Sequence, residues 1–126
     1  IGVGLVPDSG STWFLPRMAG DVRARALALL AEKISAADAQ QYGLVWKVHA
    51  DDRLMPEALA TARKMAQMPT RAYDLVKQAF AAGSGNGLAE QLELEALLQA
   101  QAMDTEDHRE GVAAFLAKRP AQFKGR

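Results

Sequence analysis

The chain has 126 residues, and 49% of them are hydrophobic, enough for a single ordinary domain to bury a continuous core. Its charge is balanced, 15 Lys+Arg against 15 Asp+Glu, which leaves no electrostatic footprint for nucleic acid or an anionic membrane surface. The absence of cysteine excludes a disulfide framework and a thiolate metal site. No apolar run is long enough to span a bilayer and no charged segment leads into one, so a cytoplasmic protein is expected.

The first six residues, Ile1-Gly2-Val3-Gly4-Leu5-Val6, read as the tail of a buried element whose neighbours are missing. Residues 12–19 predict a short helix distorted by Pro16 and ended by Gly20. Asp21 is placed to cap a helix over 22–32, with Val22, Ala26, Leu29 and Leu30 sharing a face. Ser35 and Asp38 resemble a capping box that opens a two-turn helix closed by Gly43. Leu44-Val45-Trp46-Lys47-Val48 is β-branched and aromatic with partial alternation, and predicts a strand.

Asp51-Asp52 begins a helix carrying Leu54, Ala58, Ala62 and Met65 at helical spacing, up to the break at Pro69. Thr70 is expected to cap a helix to about residue 82. Gly83-Ser84-Gly85-Asn86-Gly87 reads as a hinge and not a phosphate loop, since no strand precedes it and no Gly-Lys-Ser/Thr follows. Residues 88–103 predict a long helix with a wide apolar side that includes Leu92, Leu94 and Leu98. Acidic residues 104–107 suit the start of a last helix that ends near Lys118-Arg119, before Pro120.

Few constellations could carry chemistry. Gly2-x-Gly4-x-x-Pro7 lacks the third glycine and the acidic residue of a dinucleotide fingerprint. Ser9, Ser11, His49 and His108 lie outside any nucleophile elbow. Asp104, Glu106, Asp107, His108 and Glu110 lack the glycine and spacing of a calcium loop, and read more simply as acids at a helix N-terminus. Asp8 stands in a turn just before a helix and admits two readings. As a cap it would accept a backbone N–H near Ser11. As a base it would need apolar walls to raise its pKa toward neutrality.

Three separated motifs, in order, span essentially the whole chain. They are Gly4-Leu5-Val6-Pro7-Asp8-Ser9-Gly10-Ser11-Thr12-Trp13-Phe14-Leu15-Pro16-Arg17, then residues 30–39 with Gly43-Leu44-Val45, and Asp107-His108-Arg109-Glu110-Gly111-Val112-Ala113-Ala114-Phe115-Leu116-Ala117-Lys118-Arg119 with Phe123. Together they resemble the crotonase (enoyl-CoA hydratase/isomerase) superfamily. Pro7-Asp8, with the residues through Arg17 and Leu27-Ala28-Leu29-Leu30, is most similar to the isomerase branch of bacterial phenylacetate degradation, which turns ring-1,2-epoxyphenylacetyl-CoA into oxepin-CoA and shifts double bonds in enoyl-CoA thioesters.

The resemblance implies the C-terminal half of an α/β spiral fold, mainly α in this part, with about seven helices and one or two short strands. Residues 1–50 would close the core and carry the active-site turn, and residues 51–126 would form a helical region of the kind used to trimerise. It implies Asp8 as the acid/base residue, Pro7, Trp13 and Phe14 around the acyl pocket, and Lys118 with Phe115 at the CoA phosphates or adenine of a neighbouring subunit. The substrate would be an acyl-CoA, with no tightly bound cofactor and no metal, and the full-length protein would assemble as a trimer or a dimer of trimers. Both oxyanion donors would lie upstream of Ile1, leaving this part inactive alone. An enoyl-CoA hydratase, with two upstream Glu residues, and a non-catalytic CoA-binding or assembly module are the alternatives. Ser11 departs from the superfamily's Gly-Gly-Thr and would disturb the turn if its position required a positive φ.

Overall fold

A computed structural model describes all residues, Ile1–Arg126. Seven helices follow one another: α1 (Ser11–Ala19), α2 (Asp21–Leu30), α3 (Ala36–Gln41), α4 (Asp51–Ala66), α5 (Thr70–Gly83), α6 (Leu88–Met103) and α7 (Glu106–Leu116). They belong to two compact units, Ile1–Met55 and Pro56–Arg126.

In the first unit α1 packs against α2. Gly20 joins them at φ 80°, a left-handed conformation that glycine adopts without steric cost. Asp21 does not cap α2: the N-cap is Gly20, and the Asp21 carboxylate instead accepts a hydrogen bond from Arg25 one turn on, at 2.7 Å. The buried face of α2 is Ala24 with half-buried Leu27 and Ala28, while Val22 is exposed. The small residues are thus the ones that let α1 and α2 approach. The capping box forms as expected, with the Asp38 N–H donating to Ser35 Oγ at 3.0 Å and the Ser35 N–H donating to Asp38 Oδ2 at 3.2 Å.

The strand expected at residues 44–48 is not formed; the segment is irregular backbone. Strand propensity measures how well a side chain fits a pleated, half-buried surface, and no partner strand exists in these residues to make one. Trp46 is accordingly 74% exposed.

In the second unit α6 packs against both α5 and α7. Leu75 of α5 and Leu98 of α6 are its only large buried hydrophobic residues, joined by Ala114 of α7. Residues 83–87 are a pinned turn where their glycines had suggested a hinge. Asn86 Nδ2 donates to Gln91 Oε1 at 3.1 Å, Gln91 Nε2 donates to the Ala79 carbonyl at 3.1 Å, and the Gly87 N–H donates to Glu90 at 3.0 Å. Thr70 is the first residue of α5, preceded by Pro69 at the cap position, and makes no capping bond. Along the whole chain only five hydrophobic residues are buried, and many large ones stand exposed.

Candidate active-site turn and C-terminal lysine

The segment before α1 is a four-residue turn. The Ser11 N–H donates to the Asp8 carbonyl at 2.9 Å, and the two central residues, Ser9 and Gly10, have φ of 54° and 82°. Positive φ at both is the signature of a mirror-image type I′ turn. Glycine adopts it freely, whereas serine at Ser9 is held there against its preference. Strain of this kind in a single residue is a recognised mark of functional sites. Ser11 itself lies in α1, outside the positive-φ residues, so replacement of a glycine there does not distort the turn. Its hydroxyl donates to the Asp8 carbonyl at 2.5 Å and reinforces it.

The Asp8 side chain does not cap α1. The N-cap is Gly10, with no side-chain bond, and the Gly10 carbonyl accepts from Trp13 and Phe14. The one hydrogen bond to the Asp8 carboxylate comes from the neighbouring Ser9 hydroxyl, at 3.2 Å. Asp8 is exposed, so the apolar walls expected around a desolvated base are not built by these residues. Beside the turn runs a largely apolar groove of about 330 Å³, lined by Val6, Pro7, Ser11, Thr12, Leu15 and Pro16 together with Asp21, Ala24, Arg25, Ala28 and Leu29 of α2. Pro7 is in its wall; Trp13 and Phe14 are not. Those two rings pack edge to face with centroids 4.7 Å apart, and the Arg17 guanidinium lies 3.8 Å from the Trp13 ring centroid. Phe14 also fills the space where a Cβ on Gly10 would fall, 2.9 Å away, so both φ and packing require glycine there.

Phe115 and Lys118 lie in the second unit. Phe115 is 82% exposed. Lys118 follows the C-cap of α7 at φ 51°, its N–H donating to the Phe115 carbonyl at 3.1 Å, while the Arg119 N–H donates to the Ala114 carbonyl at 3.0 Å. These two bonds define a Schellman ending, whose left-handed position is usually glycine.

Asp107 and Glu110 bind the chain beyond this turn, a role their sequence positions did not suggest. Asp107, 2% exposed, accepts hydrogen bonds from the Lys124 and Gly125 N–H groups at 2.6 and 2.7 Å. Glu110 accepts both arms of the Arg119 guanidinium at 2.6 and 2.8 Å, and the Gln122 N–H at 2.8 Å. The Arg119 hydrogen bonds, then that of Gln122, hold the Glu110 carboxyl at about 2, below its ordinary 4.5. Of the acidic cluster 104–110, these carboxylates therefore serve the C-terminal tail.

A match to the enoyl-CoA hydratase/isomerase family covers residues 1–126. The chain belongs to that family. The 1,2-epoxyphenylacetyl-CoA isomerase of Escherichia coli is 47% identical over 124 residues, 98% of this chain and 47% of its own length. A Rhodobacter capsulatus protein described as a probable enoyl-CoA hydratase is 48% identical over 124 residues, 98% of this chain and 48% of its own. The crystal structure of an enoyl-CoA hydratase from Bacillus anthracis matches with a TM-score of 0.93 at 34% identity, over 99% of this chain and 48% of that one. The seven helices thus form part of the crotonase fold, and the chain spans about half the length of the relatives it matches.

Proposed function

We propose that the complete protein is an acyl-CoA isomerase in which Asp8 moves a proton on a CoA thioester. The observation that carries this reading is Asp8 itself: a carboxylate at the head of a strained turn, bound only by a neighbouring hydroxyl. The E. coli isomerase, 47% identical over 98% of this chain, supports the choice of reaction and the 1,2-epoxyphenylacetyl-CoA to oxepin-CoA conversion. A shift of a double bond in an enoyl-CoA uses the same chemistry.

Isomerisation conserves atoms, so one carboxylate suffices. Polarising the thioester carbonyl acidifies the α-carbon; Asp8 takes a proton from one carbon and returns it to another. The enolate oxygen needs preorganised N–H donors, which the family resemblance assigns to residues upstream of Ile1. The groove beside Pro7 offers apolar surface for the acyl group, and Lys118 supplies a cation for a CoA phosphate. On this reading the chain is inactive alone and the complete protein self-associates as a trimer or a dimer of trimers.

Asp8→Asn, in the protein completed to the length of its relatives, should lower isomerisation by about 10²–10⁴-fold with CoA affinity unchanged. Full activity in that variant would overturn the reading. The relative described as a probable hydratase, at 48% identity, supports hydration as the second reading, for which crotonyl-CoA should be hydrated by the Asp8→Asn variant as fast as by the parent.

A further inference from the structure

Glycine is favoured at the left-handed position of a Schellman ending because a Cβ there meets the backbone. This chain places Lys118 there, at φ 51°. Its backbone is fixed by the two closing bonds from Lys118 and Arg119. The next residue, Arg119, is fixed again by its two-armed ion pair with Glu110 at 2.6 and 2.8 Å. Glu110 also takes the Gln122 N–H, so one carboxylate holds both sides of Pro120. Among these restrained groups the Lys118 ammonium is exposed and has no ion pair. The conformation is held at a local steric cost, and what that cost retains is a lysine side chain at one place.

We propose that Glu110 and Arg119 are positioning residues for Lys118: their clamp fixes the end of α7 so that the ammonium is presented, unpaired, to a phosphate of the CoA moiety. The proposal rests on the reading that Lys118 meets CoA. A lysine on an unordered backbone would surrender main-chain as well as side-chain freedom on binding, whereas one whose backbone is already ordered surrenders only the latter. The clamp remains ionised across neutral and mildly acid pH, because Arg119 and the Gln122 N–H stabilise the Glu110 carboxylate and Lys124 adds positive charge beside it.

The test uses the protein completed to the length of its relatives, with CoA and 3′-dephospho-CoA as probes in calorimetry. Lys118→Gly should leave thermal stability unchanged or raise it by about 2 °C, yet weaken CoA binding about tenfold, the value of one charge-assisted contact. Glu110→Gln and the charge-conserving Arg119→Lys should each raise KM several-fold at unchanged kcat. In a Lys118→Gly background neither should weaken CoA binding further. Equal weakening with and without Lys118 would make the clamp merely structural and overturn the positioning role, leaving the phosphate contact standing. Unchanged CoA affinity in Lys118→Gly would remove that contact, and the proposal with it. Loss of affinity for CoA but not for 3′-dephospho-CoA supports the proposal at the 3′-phosphate; equal loss for both supports it at the pyrophosphate.

Discussion

Glu110 and Gly125 carry the clearest residue-scale consequences. The Glu110 carboxyl titrates near 4.5 when unperturbed and near 2 in the folded chain. A folded-state value depressed in this way contributes stability that is complete above about 4.5 and is lost as pH falls toward about 2. Glu110→Gln should therefore flatten the acid side of a stability-against-pH curve between those limits and change its slope little above them, as measured by urea midpoints at successive pH values. Gly125 has φ 78°, and a Cβ there would fall 2.5 Å from Thr70 Oγ1. Gly125→Ala meets both penalties and should cost about 1–3 kcal/mol, read from the denaturation midpoint. A variant as stable as the parent would show that the tail does not need its observed path.

At the scale of elements, the helices divide by what ends them. The Ser35 capping box satisfies N–H groups of α3, and Thr105 Oγ1 accepts the His108 N–H at 3.0 Å to start α7. Thr105→Ala should cost about 1 kcal/mol, whereas Thr70→Ala, which removes no capping bond from α5, should cost less in the same denaturation assay. The Ser35 box was legible in the sequence because its two partners are three residues apart and their side chains can bond only locally. Residues 44–48 have strand propensity but form no strand, because a strand is defined by a partner outside the segment. Asp107 stands in the first turn of α7, as the sequence indicates, but its bonds to Lys124 and Gly125 join residues 17 and 18 positions apart, which periodicity does not report. Asp8 was legible as a turn residue through the residues around it. Its left-handed neighbour Ser9 was not, since serine gives no warning of positive φ as glycine does.

At the scale of the whole molecule, apolar surface dominates. Leu54, Met55, Leu59 and Met65 stand at 45–62% exposure along α4, which buries none of its residues. Val76, Phe80, Leu92 and Leu97 are also exposed on α5 and α6. Exposed large apolar side chains in such number mark interaction surfaces on proteins that are otherwise well packed. The isolated chain should therefore bind a hydrophobic dye and sediment as associated species; a clean monomer at tens of micromolar would show that these faces do not drive association. The family assignment was legible over the full length because three motifs kept their order, while the exposure of these apolar faces was not, because helical spacing marks an apolar side without saying what covers it.

The main helix packings join consecutive helices, α1 with α2, α5 with α6, and α6 with α7. Contacts of such short range close quickly, and a growing polypeptide leaves the ribosome at about 5–20 residues per second. Each helical hairpin can thus be complete within seconds of its emergence. The apolar faces stay exposed for as long as nothing covers them, and in that interval such surface makes a chain prone to aggregate and a client for chaperones.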